Sequence, residues 1–489
     1  MERLDIEDDR FWQKLLILGI LLNLIACFTS DLGLDTHVKM AVDENGALPW
    51  GDLRPETPGQ SDAFDGGERV VLPLYELSET GIKTVALVTF FGMVACLYRW
   101  SGVRSATVLS LSPAMIFSVA RGYEEVYFAV FAVLALLLFT GVLSNKKRPL
   151  QCFSGGVFFM GMAYSKGFTG AQGVLVGAVL TGAAAFLWGL IQESGRNGTA
   201  WMARPHIVGA VVGLSVAVLM VFFGLLEINP TLAIIGQQPL RYASALAFSL
   251  LDVVVIFTLF GMVMWPFVGS VLRALKGIND SKIAMMTGYI SGILVAVVFY
   301  VAALWTYEAS IWGAEWPGVV WTMGNNGRYI TMLFLPFIVL MHFIRKHNPV
   351  PSLDSPQSKA KATVLTVLLL LPLSLLASVH GQTMWTDDAA VAMELEDGEH
   401  FLFVSEDTLG MHWLYTFYAP LDAEENNITG HWRSTNTAWE KDLNSTLANV
   451  DTIVLSPEIT FTPSGWNVKT SGESDFLNGK GEWRVLTRS

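Results

Sequence analysis

The sequence predicts an α-helical polytopic membrane protein of about 11 transmembrane helices with a small C-terminal extracytoplasmic α/β domain. Two observations carry this. Hydrophobic residues make up 52% of the 489 and charged residues only 15%, against about 25% charged in a soluble domain. The apolar residues are also gathered into runs approaching or exceeding the ~20 residues that cross a bilayer. Lipid offers no partner for backbone N–H and C=O groups, so such runs must be helices. The same composition excludes a disordered chain. The net charge of −12 argues against a nucleic-acid partner. Cys27, Cys96 and Cys152 all fall in apolar stretches, which reads as buried small hydrophobes rather than a disulfide framework.

Taken in order, the candidate spans are residues 14–29, 83–98, 105–119, 125–143, 150–165, 173–191, 207–226, 247–269, 283–304, 329–344 and 363–379. The first follows an acidic leader and lacks a small-residue cleavage site, so it reads as a span and not a signal peptide. Lysine and arginine set the orientation. Arg99, Arg104, Lys146, Lys147, Arg148, Arg196, Arg204, Arg273, Lys276, Lys282, Arg345, Lys346, Lys359 and Lys361 fall on alternate loops, which places those loops and the N-terminus in the cytoplasm. An odd number of spans then puts the C-terminus outside, in a plasma membrane or its equivalent.

This divides the chain into a membrane domain, 1–379, and an extracytoplasmic domain, 380–489. Within the first, residues 30–82 form a long outer loop with 11 acids and 3 bases; the second holds 18 acids and 6 bases. The sequons at Asn427 and Asn444 suit an external tail, while that at Asn197 falls in an inner loop. Phe401–Ser405 and Thr452–Leu455 read as strands, and the aromatic stretch Met411–Tyr418 between them as a helix. Residues 345–362, with three prolines, read as an inner linker.

The informative charges are those that break the positive-inside pattern. Arg121, Lys166, Arg241 and Arg328 sit in short outer loops, and Lys83 at the outer end of the second span. Snorkelling to headgroups explains any one of them. Five on one face suit a shared anionic ligand, for which a phosphate at the membrane surface is the natural candidate. Carboxylates collect on the same face. Asp31 and Asp35 follow the first span at i, i+4 spacing, so a short helical extension would put them on one side. Glu124 and Glu125 open the fourth span, where the helix dipole alone would favour them. His37 adds a possible metal ligand, with no second His or Cys at ligand spacing. Asp252, inside a span, reads as a partner for a neighbouring helix. Cations beside isolated carboxylates suit group transfer from a lipid phosphate, with a base for the acceptor proton and cations for the departing phosphate.

These features resemble the GT-C superfamily of polyprenyl-phosphate-sugar glycosyltransferases, especially the branch of protein O-mannosyltransferases and aminoarabinose transferases. Four stretches over residues 15–344 carry the resemblance. They are a single span followed by Asp31-Leu-Gly-Leu-Asp35-Thr-His37; Ser112-Pro113 followed by Arg121-Gly-Tyr-Glu124-Glu125; Ala163-Tyr-Ser-Lys166-Gly167-Phe168; and Gly327-Arg328-Tyr329 leading to Pro336. The chain departs from the family in carrying a Glu pair where an Asp is commoner, and its tail has no matching motif. It lacks the Trp-Trp-Asp-Tyr-Gly signature of oligosaccharyltransferase catalytic subunits.

The resemblance implies an inverting transfer of a monosaccharide from a polyprenyl- or dolichyl-phosphate donor, at the outer face of the bilayer, to a protein, glycan or lipid acceptor. Asp35 or Asp31 would be the general base. Lys166 and Arg328, with Tyr329, would hold the donor phosphate, with Lys83, Arg121 and Arg241 as lesser candidates. Glu124 or Glu125 would orient the base, the acceptor or a divalent cation, Mg or Mn. Two other classes compete. A transporter or flippase of an anionic lipid or lipid-linked sugar would need more ionisable residues at the midplane than Asp252. A non-catalytic envelope protein with a cation-binding tail leaves the five outer bases unexplained.

Overall fold

A computed structural model describes residues 9–42, 48, 50, 71–144, 148–166, 169–195, 197–227, 230–264, 274–311, 316–318, 320, 325–347, 364, 368, 371–378, 384–405, 410–435, 438–474 and 481–489. Most of the long loop at 43–70, Lys146, Lys147, Gly167, Phe168, Arg196, Arg273 and the linker residues 348–362, with Lys359 and Lys361, lie outside the described residues. The chain falls into two compact units. One comprises Met1–Ile25, Ala86–Val119 and Glu124–Ser378; the other comprises Ala26–Val85, Ala120–Tyr123 and Val379–Ser489. The tail thus clusters with the segment after the first span and with a four-residue turn.

The first unit is helical. Its elements include α1 (Asp9–Thr29), which runs on into the second unit, as does α3 (Glu79–Ser101) at its start, with α2 (Leu34–Met40) lying between them in the chain. They are followed by α4 (Val103–Ser110), α5 (Pro113–Ala120), α6 (Glu125–Gly141), α7 (Arg148–Ser165), α8 (Ala171–Glu193) and α9 (Pro205–Leu225). The unit continues through α10 (Pro230–Gln237), α11 (Pro239–Met264), α12 (Ser281–Ile311) and α13 (Asn325–His347). Among the described residues eight helices are long and apolar enough to cross a membrane.

Three expected spans fare differently from the other eight. The run at 105–119 is two helices, α4 and α5, bent by 61° at Leu111–Ser112. Pro113 cannot continue the helix before it, which accounts for the break. The run at 150–165 is a helix of 18 residues, α7, but Arg148, Gln151 and its glycines keep it outside the apolar set. Of 363–379, the described residues include a helical stretch at 371–378.

Small residues let these helices approach closely. A Cβ on Gly156 of α7 would stand 2.3 Å from the Ala178 carbonyl oxygen of α8, and one on Gly182 would stand 2.9 Å from that of Cys152. Gly288 of α12 meets Val208 of α9 in the same way, at 2.8 Å. Two buried polar groups bridge helices inside the unit: Asn23 donates to the Ser110 carbonyl at 2.9 Å and Thr107 to that of Trp12 at 3.0 Å.

The second unit contains the tail's five-stranded sheet, β1 (His400–Ser405), β2 (Thr429–Ser434), β3 (Thr452–Leu455), β4 (Trp466–Ser474) and β5 (Gly481–Arg488), in the order β2-β1-β3-β5-β4. β1 is parallel to β2 and β3, whereas β5 is antiparallel to β3 and β4. The central strands are buried on both faces, which is why they read as continuous apolar runs. Alternation sends Leu402 and Val404 to one side, where they meet Ile453, Leu486, Trp439 and Leu447. Phe401 and Phe403 point the other way, onto Phe417 at ring separations of 5.4 and 5.5 Å. The aromatic stretch between the strands is helical, as its composition suggested: α15 (Gly410–Leu414) runs into a 3-10 turn at Tyr415–Phe417. Trp385 opens α14 (Trp385–Met393) and stacks on both Trp413 and Trp483.

Candidate functional site

Apart from Arg241, the sequence-derived site residues fall into two groups, one within each unit. In the helical unit, α6 begins, α7 ends and α13 begins at a common place. Glu124 is the N-cap of α6 and Glu125 its first residue, positions where a carboxylate is favoured by the helix dipole. Lys166 follows the last residue of α7, and Arg328 and Tyr329 lie in the first turn of α13. The Lys166 ammonium stands 2.5 Å from Glu124 Oε1 and donates a 3.3 Å hydrogen bond to Glu125 Oε1. The same Glu125 oxygen is 3.4 Å from Nε of Arg328. Both carboxylates are completely enclosed, while the Lys166 and Arg328 side chains keep 11% and 14% of their surface. Burial works against the Lys166 charge, but Glu124 and then Glu125 outweigh it and hold its pKa well above the ordinary lysine range. Both cations also lie over the Tyr329 ring, at 5.1 and 6.0 Å.

Sequence reasoning missed two neighbours of this group. Tyr300 of α12 packs edge-on to Tyr329 at 6.1 Å, and Glu308, two turns further along α12, acts electrostatically on Tyr300. Both sit inside or at the end of an apolar run, where an isolated polar side chain is the available signal. Arg241, a lesser candidate, lies over the Trp316 ring at 5.9 Å.

The second unit gathers Asp31, Asp35, His37, Lys83 and Arg121. α1 stops at Thr29 and α2 starts at Leu34, so Asp31 occupies a break and does not share a helix face with Asp35. The expected helical extension is absent because the chain must turn to pack on residues 121–123. Gly33 N–H donates to the Arg121 carbonyl at 3.1 Å, Thr36 Oγ1 donates to the same oxygen at 2.9 Å, and the Tyr75 hydroxyl donates to that of Gly122 at 2.9 Å. Glycine is required at 122: its φ is +66°, and a Cβ would stand 2.6 Å from Ile82.

This geometry separates the two aspartates. Asp31 is tied down: its Oδ2 accepts the backbone N–H of Met384, at the start of α14. Burial raises its pKa, against that bond and the charges of Lys83 and Arg121. Asp35 sits in the first turn of α2, with Nε2 of His412 at 3.9 Å from its Oδ1. His412, on α15, is a third residue that sequence reasoning missed; its signal was one histidine in an aromatic run. Lys83 donates to the Ser30 carbonyl at 2.7 Å. Arg121 is 4% exposed, and burial lowers its pKa to about 10. Asp387 adds a further carboxyl, pushed up to about 7 by burial and by Asp31, Glu79 and Asp388.

His37 is 2% exposed, and burial lowers its pKa to about 4, so its ring is neutral. Among the described residues no three His, Cys, Asp or Glu side chains converge as a metal ion would require. Glu124 and Glu125 do not converge on such a site either, because Lys166 stands against both.

No family model matches the chain, and no curated protein does. Among solved structures it is similar to the crystal structure of ArnT from Cupriavidus metallidurans in the apo state, at 13% identity, covering 98% of each chain with a TM-score of 0.44.

Proposed function

We propose that this protein is a membrane glycosyltransferase that moves a monosaccharide from a polyprenyl- or dolichyl-phosphate donor to a protein, glycan or lipid acceptor. The observation that carries the reading is the group around Lys166 and Arg328. Two cations retain a little exposure in an otherwise buried setting, beside an aromatic ring and at the end of a bundle of apolar helices. Such a pair suits a phosphate held at the edge of the hydrocarbon.

The reaction needs cations for the departing phosphate and a base for the acceptor proton. Lys166 and Arg328 bind the phosphodiester of the donor and stabilise the charge that grows on it as it departs. Asp35 accepts the proton of the acceptor hydroxyl. The acceptor oxygen bonds to the anomeric carbon from the side opposite the phosphate. The bond from that carbon to the phosphate oxygen breaks, its electrons leave with the lipid phosphate, and the configuration inverts. Asp31, bound to the Met384 backbone, supports the segment that carries Asp35.

Full-length protein in proteoliposomes, given radiolabelled dolichyl- and polyprenyl-phosphate monosaccharides and a detergent extract of acceptor membranes, should transfer label to the extract. Glycans from membranes with and without the protein should differ by the same sugar. Movement of the labelled lipid between leaflets without transfer would overturn the reading in favour of a flippase.

A further inference from the structure

The candidate phosphate site already pairs its two cations with two buried acids. Lys166 and Arg328 bring two positive charges, and Glu124 and Glu125, with no exposed surface, bring two negative ones at 2.5 to 3.4 Å. If the site served only to hold phosphate tightly, buried acids against both cations would be a fault. Nor are they needed to keep α6 helical, since one carboxylate at a helix start already satisfies the dipole.

We propose, resting on the donor reading above, that Glu124 and Glu125 are specificity residues that grade anions by charge. They admit a singly charged phosphodiester and weaken the hold on a doubly charged phosphomonoester. The donor phosphate has both ends esterified and carries one negative charge. The spent carrier is a monoester whose second ionisation lies near pH 6, so at neutral pH it carries between one and two. Either anion shares Lys166 and Arg328 with two fixed carboxylates, and each added negative charge meets repulsion from both. The acids cannot swing into water to make room, because they are enclosed. The penalty therefore falls on the ligand, and most heavily on the dianion. Product leaves, and diphosphate-linked carriers are disfavoured as donors for the same reason.

Among the described residues, the other titratable groups that face the quartet do not reverse this: Tyr300 and Tyr329 are phenols, and Glu308 adds negative charge near Tyr300.

The test measures binding of two probes to full-length protein in nanodiscs: dolichyl phosphate as the monoester, and its methyl ester, dolichyl methyl phosphate, as the diester. At pH 7.5 the wild type should prefer the diester. In Glu124→Gln the monoester should tighten about tenfold relative to the diester, the effect of removing one like charge within a few ångströms. Glu125→Gln should do the same, and Glu124→Asp, which keeps the charge, should retain the wild-type ratio. A structural role alone would weaken both probes together and leave their ratio fixed. An unchanged ratio in both Gln variants overturns the proposal while leaving the donor site intact. Failure of the diester probe to bind, or binding indifferent to Lys166→Met, overturns the donor reading itself and this proposal with it.

Discussion

At the scale of single residues, the two aspartates after the first span are chemically alike in sequence and different in place. Asp31 spends an oxygen on the Met384 N–H, so its loss disturbs structure; Asp35 lies in the first turn of α2, with His412 Nε2 at 3.9 Å from its Oδ1. Asp35→Asn keeps shape and hydrogen bonding but cannot take a proton. It should bind dolichyl phosphate as the wild type does, while sugar transfer falls by about 10² to 10⁴. Wild-type transfer in Asp35→Asn would remove it as the base. Asp31→Asn should instead lower thermal stability, with a smaller loss of turnover. A second residue-scale prediction concerns His37. Its folded pKa of about 4 lies below the unfolded value of about 6.5. The unfolded chain therefore binds the proton first as pH falls. The stabilisation is whole above about 6.5, and is lost progressively as pH falls toward 4. His37→Gln should flatten this part of the acid limb in a thermal-shift series from pH 7 to pH 4.

At the scale of elements, Trp50 shows what joins the long loop to the sheet within the second unit. Its ring stacks on Tyr415 at 5.4 Å and meets Phe401 and Tyr418 edge-on; its Nε1 donates to the Ile428 carbonyl at 3.1 Å, and the Tyr415 hydroxyl donates to its own carbonyl at 2.9 Å. Trp50→Ala removes a fully buried ring and should cost about 3–5 kcal/mol. Chemical denaturation followed by tryptophan fluorescence should report it, and Trp50→Phe should recover most of the loss. Elements of this kind divide by how local their causes are. The strands at 401–405 and 452–455 and the helix between them were legible, because apolar runs and aromatic spacing are written in a few adjacent residues. The break at Ser30–Gly33 was not, since its cause is the Arg121 carbonyl, some ninety residues away. Trp50 itself was one apolar residue in an acidic loop, and nothing near it announces a partner at Ile428. The bend at Leu111–Ser112 lay in plain view as Ser112-Pro113, but the apolar run around it outweighed the proline.

At the scale of the whole molecule, charge asymmetry remains the strongest statement in the chain. The tail from residue 380 carries 18 acids against 6 bases, equal to the net −12 of all 489 residues, while fourteen bases are confined to alternate loops. Bases are retained on the cytoplasmic side during insertion, whereas long acidic segments translocate regardless of charge. Lys166 and Arg328 were readable because they fall on the loops between those basic ones, and they are the cations that meet Glu124 and Glu125. What composition could not show is which carboxylates would meet them, because that depends on α6, α7 and α13 converging. The orientation itself yields the last prediction. With a cysteine placed at Ser445, an exposed segment of the tail, a membrane-impermeant maleimide should label intact cells. A cysteine at Ser194, beside the basic loop after α8, should label only after permeabilisation. Both positions are solvent-exposed, so unequal reactivity cannot arise from burial. Labelling of position 194 in intact cells, with position 445 silent until the membrane is opened, would invert the topology. It would also put the phosphate site at the cytoplasmic face, where the donor and acceptor proposed above would have to be sought instead.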